Sequence, residues 1–141
     1  MTLDSIIERL ERADRPDRKL DIAIMDLLDP RSDDENHLVM GKLLQAKWGA
    51  YGQMANQVDY YIEAPKVTSS VDAAIALAEK VLQGAYSMKI STDPSGCGTK
   101  IHHWPNGLSG EDEIIAEGVS ETIALSACLA ILKAKQMGVG E

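Results

Sequence analysis

The sequence contains no phenylalanine, and aromatic residues of all kinds make up only 4% of the chain. Large apolar contacts must therefore come mainly from leucine, isoleucine and methionine. The chain also lacks an uninterrupted apolar run of the roughly 20 residues that a membrane-spanning helix requires. Its first residues do not contain the apolar segment of a signal peptide. These absences predict a cytoplasmic, globular protein that does not contact a membrane.

Cysteine is also scarce, and the two cysteines, Cys97 and Cys128, are too few for a disulfide framework. With His37, His102 and His103, Cys97 forms the only set of soft metal ligands. Zinc sites need four ligands at a recognisable spacing. The adjacent histidines would point to opposite faces of a strand, so they would not share one ion. The sequence therefore predicts no metal site and no cofactor.

Positive charge is in the minority, since 14 lysines and arginines stand against 22 aspartates and glutamates, for a net charge of −8. No run of basic residues is present, and binding to nucleic acid without sequence preference needs basic side chains. Direct nucleic-acid binding is therefore not expected. An acidic surface suits docking on a basic partner. Two acidic clusters are the candidate contacts, namely Asp33, Asp34 and Glu35, and Glu111, Asp112 and Glu113. The alternative is that they are ordinary loop residues whose charges face solvent.

Hydrophobic residues make up 45% of the chain, and they recur at regular spacings along it. At 141 residues it suits one domain, 1–141, with a helical N-terminal part over 1–57, an α/β core over 58–136 and a flexible tail over 137–141. Thr2 is placed to cap a first helix, whose outer face mixes both signs of charge. Pro16 suits the first turn of a second helix, giving a helical hairpin. Apolar spacing over 38–48 predicts a third helix.

From residue 58 onward, alternating patterns predict strands over 58–64, 86–91 and 99–104, with a short fourth strand over 113–117. Ser69 is placed to cap a helix between the first two of these strands. The last helix, over 120–136, is apolar on nearly every side and is therefore expected to be buried. The fold class is α+β: a small, mostly antiparallel sheet of three to four strands with packed helices, an N-terminal helical hairpin and a buried C-terminal helix.

The faces of the 99–104 strand follow from its parity. If Ile101 shares the core face with Met88 and Ile90, then His103 faces inward while His102 and Trp104 face outward.

The order of helix, three strands and helix after residue 69 resembles the double-stranded-RNA-binding fold. That family contacts phosphate through lysines at the start of its closing helix, where this chain has Glu121 and Thr122. The resemblance therefore implies no RNA binding.

Three stretches of the chain resemble small phage and prophage proteins with a phage α/β/α-sandwich domain. They are Ile6–Glu11 with Pro16–Asp21, then Val67–Ala74, and Thr122–Leu129. They cover about half of the chain, and the 31–57 segment has no counterpart. The resemblance implies a phage or prophage origin, a compact α/β domain and residence in the bacterial host cytoplasm. It implies no activity and no catalytic residues, because none are established for the family.

Two further groups of residues are candidates for binding. The first group consists of aromatic residues, which dominate the hot spots of protein interfaces. Its members are Trp48, Tyr51, Tyr61 and Trp104, and packing in the core is an equal alternative for each of them. A glycine-rich turn offers backbone N–H groups to an anion, although it leads into a strand and a plain hairpin turn explains it without any ligand. This turn comprises Ser95, Gly96, Cys97 and Gly98.

These observations predict a non-enzymatic phage- or prophage-encoded binding protein that acts on a host or defence protein with a basic surface. The alternative is a small-molecule binder that acts as a sink for a nucleotide signal, built as a homo-oligomer with its pocket near Gly96–Gly98. An enzyme is the third hypothesis, and it ranks below the other two because the titratable residues are not clustered as in an active site.

Overall fold

The computed structural model describes residues 2–29, 37–39, 42–49, 59–82, 85–94, 96–104 and 114–138. These ranges form four helices and six strands. In chain order they are α1 (Leu3–Arg12), α2 (Arg18–Leu28), β1 (His37–Val39), β2 (Lys42–Gly49), β3 (Asp59–Glu63), α3 (Val71–Val81), β4 (Ala85–Asp93), β5 (Gly96–Trp104), β6 (Ile114–Ser120) and α4 (Ile123–Gln136).

The strands form two sheets. One is a three-stranded antiparallel sheet in the order β4–β5–β6, with Met88 opposite Ile101 and Lys100 opposite Glu117. The other has the order β1–β2–β3, in which β1 and β2 are antiparallel and β2 and β3 are parallel. The α+β class, the antiparallel sheet, the N-terminal helices and the C-terminal helix are confirmed. The second sheet was not predicted.

Helix α4 is the centre of the core, since ten of its fourteen residues are buried. It packs on β5 and β6, and α1 and α3 pack on it in turn. Each fully buried Leu or Ile stabilises the fold by roughly 1.5–3 kcal/mol relative to an exposed position. The helix begins after Thr122, whose hydroxyl accepts a hydrogen bond from the N–H of Leu125 at 3.2 Å.

Gly118 is where the sheet comes closest to this helix. A Cβ atom at Gly118 would lie 2.5 Å from the carbonyl oxygen of Ser126 and 2.6 Å from the nitrogen of Ala130. Real Cβ atoms do not approach backbone atoms so closely. Glycine at this position therefore sets the distance between β6 and α4.

The N-terminal hairpin forms much as predicted. Thr2 caps α1 through a reciprocal capping box with Ser5, and the buried face of the helix carries Ile6, Ile7 and Leu10. The prediction for Pro16 was wrong in detail. Asp17 is the cap of α2, because its carboxylate accepts hydrogen bonds from the N–H groups of two following residues, and Pro16 lies outside the helix.

A buried polar network ties α2 to the segment before α3. One oxygen of Asp21, which is 1% exposed, accepts hydrogen bonds from the Thr68 N–H at 2.8 Å and the Thr68 hydroxyl at 2.7 Å. Its other oxygen pairs with Nη1 of Arg18 at 2.6 Å, and Nη2 of Arg18 donates to the Ala64 carbonyl at 2.9 Å. Both oxygens of the buried carboxylate are therefore satisfied.

Two local predictions were wrong. Residues 38–48 do not form a third helix, because the described part of this segment is strand, in β1 and β2. The part of the chain predicted as helical over 1–57 therefore also contains strands. The cap of α3 is Ser70 and not Ser69, since the Ser70 hydroxyl accepts from the N–H of Ala73 at 3.2 Å.

Candidate functional site

Buried and exposed side chains alternate along β5, and this alternation defines the core face and the solvent face of the β4–β5–β6 sheet. Thr99, Ile101 and His103 are buried against the core, at 0%, 1% and 2% exposure. Lys100 is exposed, while His102 and Trp104 are partly exposed on the opposite face. The parity prediction for this strand is confirmed, and His102 and His103 lie on opposite faces of the sheet.

Two lysines meet on this solvent face. Lys89 of β4 lies directly opposite Lys100 of β5, and Glu117 of β6 lies opposite Lys100 on its other side. Neither lysine forms an ion pair with any residue that the structure describes. A cavity of about 290 Å³ lies beside them and is also lined by Ser91, His102 and Glu117. Like charges directly opposite each other destabilise a strand pair, so this arrangement favours an anion between the two ammonium groups.

Apolar and aromatic groups complete the face. The rings of His102 and Trp104 are stacked, with centroids 6.1 Å apart and planes inclined by 21°. On β6, Ile115 and Val119 are 46% and 59% exposed. Exposed apolar side chains that lie beside an aromatic residue are typical of binding surfaces. We call this set the sheet face; it comprises Lys89, Lys100, His102, Trp104, Ile115, Glu117 and Val119.

Comparison with protein-family models, with curated proteins and with solved structures finds no match for this chain. The resemblance to phage α/β/α-sandwich proteins therefore remains a prediction.

The predicted ligand loop lies at the β4–β5 turn. Gly96 has φ = +138°, a conformation that favours glycine, and a Cβ there would lie 3.1 Å from the carbonyl oxygen of Ser120. The Cys97 thiol is 3.7 Å from the carbonyl oxygen of Glu121. Gly98 lines the cavity of the sheet face. Ser95 lies outside the described residues. Of the three described residues of this loop, Gly98 is the one that lines the cavity.

The aromatic candidates separate into two groups. Trp104 lies on the sheet face, whereas Trp48 is 7% exposed and its indole N–H donates to the Asp29 carbonyl at 2.8 Å. Trp48 is thus a core residue, in line with the packing alternative. Tyr61 belongs to β3. Its side chain and the remaining candidates lie outside the described residues, namely Tyr51, Asp33, Asp34, Glu35, Glu111, Asp112 and Glu113, as do residues 139–141 of the predicted tail.

Within the described ranges, no three His, Cys, Asp or Glu side chains are grouped so that they could hold a metal ion. None of the helices described here has the length and apolar character needed to cross a membrane.

The two thiols should react very differently. Cys128 is fully buried and donates to the Val67 carbonyl at 3.0 Å. Burial, together with the nearby Asp21 carboxylate, raises the pKa of the Cys128 thiol far above its ordinary value, so the reactive thiolate does not form. Cys97 is only partly buried. We expect iodoacetamide to add one label to the native protein and two after unfolding, as measured by intact mass.

The matched control for this labelling is Cys97→Ser, which should remain unlabelled in the native state. Two labels added at similar rates to the native wild-type protein would show that Cys128 is accessible.

Proposed function

We propose that the chain is a non-enzymatic binding protein and that its sheet face docks an acidic segment of a partner protein. The observation that supports this most directly is the opposition of Lys89 and Lys100 without an ion pair to any described residue, beside exposed apolar side chains. The repulsion between the two ammonium groups would be relieved by a carboxylate bound between them. Ile115, Val119 and Trp104 would supply the apolar contact that makes such a complex stable.

The charge of the rest of the chain limits the choice of occupant. The net charge is −8, so a second copy and a nucleic-acid backbone are both repelled over most of the surface. A protein segment can present a few carboxylates to the two lysines and apolar groups to β6. A protein partner with a local acidic patch therefore fits the sheet face better than either alternative.

The resemblance to phage α/β/α-sandwich proteins leads us to include a phage or prophage origin and a bacterial host or defence protein as partner in this proposal. The earlier expectation of a basic partner depends on acidic clusters outside the described residues. The sheet face carries two lysines against one glutamate, so the partner surface that docks there would be acidic.

We expect reversal of both lysine charges to abolish binding. A tagged wild-type protein should retain one bacterial protein from lysate in about equal molar amount, and Lys89→Glu/Lys100→Glu should retain at least about tenfold less of it. The retained amount should also fall at high salt, because exposed charges are screened. Quantitative mass spectrometry of the eluates measures both effects.

The matched control is Lys19→Glu/Lys66→Glu, which changes the net charge equally at two exposed lysines away from the sheet face. A photocrosslinking residue at the exposed position Ser87, on the same side of the sheet, should attach to the retained protein, whereas one at Asp72 on α3 should not. The proposal is wrong if the charge-reversed variant and the wild type retain the same protein equally, or if the control variant loses it.

A further inference from the structure

A second basic site lies far from the sheet face in sequence, where α1 ends and α2 begins. Arg9, Arg12, Arg15 and Arg18 all line one cavity of about 620 Å³, which we call the arginine cleft. These are four of the five arginines in the chain, and no lysine is among the described residues that line the cavity. In a chain with a net charge of −8, this concentration of guanidinium groups is unexpected on composition alone.

Each arginine in the cleft already has a carboxylate neighbour. Arg12 pairs with Glu8 at 2.7 Å and Arg15 with Asp14 at 3.3 Å, and the two arginine side chains are 78% and 82% exposed. Pairs so exposed contribute little to stability, and their carboxylates can return to water at small cost. Arg12 and Arg15 are therefore available to exchange their present neighbours for a more highly charged ligand.

Of the other two arginines, Arg18 is held in place by the fold, whereas Arg9 is partly exposed. Arg18 pairs with buried Asp21 at 2.6 Å and donates to the Ala64 carbonyl, while Nη2 of Arg9 lies 3.8 Å from Asp17. The four arginines are balanced in charge by the four carboxylates that pair with them. The two exposed carboxylates, those of Glu8 and Asp14, can turn away, and the cleft then presents two guanidinium groups to a more highly charged ligand.

We propose that the arginine cleft binds the polyphosphate group of a small molecule. A planar guanidinium donates two parallel hydrogen bonds to phosphate oxygens, and a polyphosphate carries more negative charge than the single carboxylates that now pair with Arg12 and Arg15. The cavity volume lies in the range of small-ligand sites. The N–H groups at the start of α2 are not part of the site, because the Asp17 carboxylate already accepts from them.

This inference does not depend on the docking proposal, because it uses different residues on different elements. It also gives the nucleotide-binding hypothesis a place other than the Gly96–Gly98 turn. A nucleoside triphosphate and inorganic triphosphate share the chemistry that the arginines would recognise, so the test uses both.

Isothermal titration calorimetry of the full chain, in low salt without divalent cations, tests the site. We expect inorganic triphosphate and ATP each to bind with saturable heat, and adenosine not to bind. The dissociation constant should rise at least about tenfold in Arg12→Ala/Arg15→Ala, since each substitution removes charge-assisted hydrogen bonds. Equal affinity for the two phosphates would show that the polyphosphate is the whole determinant, and tighter binding of ATP would identify a nucleotide as the ligand.

Two further variants distinguish the paired N–H donors of arginine from its charge, and the arginine cleft from other basic residues on the surface. Arg12→Lys/Arg15→Lys keeps the charge but loses the paired donors, so its affinity should lie between those of wild type and the alanine variant. Lys66→Ala/Lys80→Ala makes the same change in net charge as the double alanine variant, at two exposed lysines that line neither the arginine cleft nor the cavity of the sheet face, and should bind as wild type does. The proposal is overturned if neither phosphate binds at millimolar concentration, if the arginine variant binds normally, or if the lysine variant loses binding. None of these results alters the docking proposal, which is tested by protein capture.

Discussion

Replacing Asp21 with alanine is expected to lower the free energy of unfolding by about 3–5 kcal/mol. The substitution removes the acceptor for the Thr68 N–H and hydroxyl and leaves the Arg18 guanidinium without its carboxylate. A buried donor without a partner costs more than the hydrogen bond itself contributes. Urea unfolding followed by circular dichroism measures the loss, with the midpoint shifting at an unchanged slope.

The control for this substitution is Glu8→Ala, which also breaks a pair with an arginine. The Glu8–Arg12 pair spans one helical turn and both side chains are largely exposed, so the loss should be about 0.3–0.5 kcal/mol. The role assigned to Asp21 would be refuted if the two variants lost similar amounts of stability.

Replacing Gly118 with alanine is expected to destabilise the fold by about 3 kcal/mol. The new methyl group would overlap the carbonyl oxygen of Ser126 and the nitrogen of Ala130, and backbone atoms inside α4 cannot turn aside as a flexible side chain can. The sheet and α4 would have to separate, which loosens the packing around the buried leucines. Thermal unfolding monitored by calorimetry measures the effect.

Gly98→Ala is the matched control, in the neighbouring strand and directly opposite Val119. A Cβ at Gly98 would lie 3.7 Å from the Ser91 hydroxyl, an ordinary contact distance, so the change should stay within about 0.5 kcal/mol. Equal losses for both variants would show that the loss of glycine, and not the clash with α4, causes the effect.

Elements whose residues interact locally were predictable from the sequence. The apolar surround of α4 predicts a buried helix, and alternation along β5 places Ile101 inside and Trp104 outside. The 38–48 segment was mispredicted because its apolar spacing also fits a helix, whereas what places it in a sheet is the pairing of β2 with β3, which begins ten or more residues further along the chain. The neighbouring core contact is equally non-local, since the indole of Trp48 donates to Asp29, 19 residues earlier.

The same distinction applies to the candidate sites. Trp104 was predictable as an exposed aromatic, but the opposition of Lys89 and Lys100 depends on a hairpin register that parity alone does not specify. The Asp21 network was missed because Thr68 is 47 residues away. The arginine cleft did have a local signal, an arginine at every third position from Arg9 to Arg18, but the acidic residues between them made that stretch look like an ordinary solvated surface.

The central position of α4 has a consequence for the timing of synthesis. This helix contacts α1, α3, β5 and β6, and Gln136 near its end donates to Asp4 at 2.7 Å, across 132 positions in sequence. During translation, residues 123–136 leave the ribosome later than all the elements that α4 contacts. Until then, the apolar faces of α1, α3 and the sheet have no partner, and a nascent chain in that state is prone to aggregate. The protein therefore folds its core late in translation, and its yield in a cell depends on how well the unfinished chain is shielded during that interval.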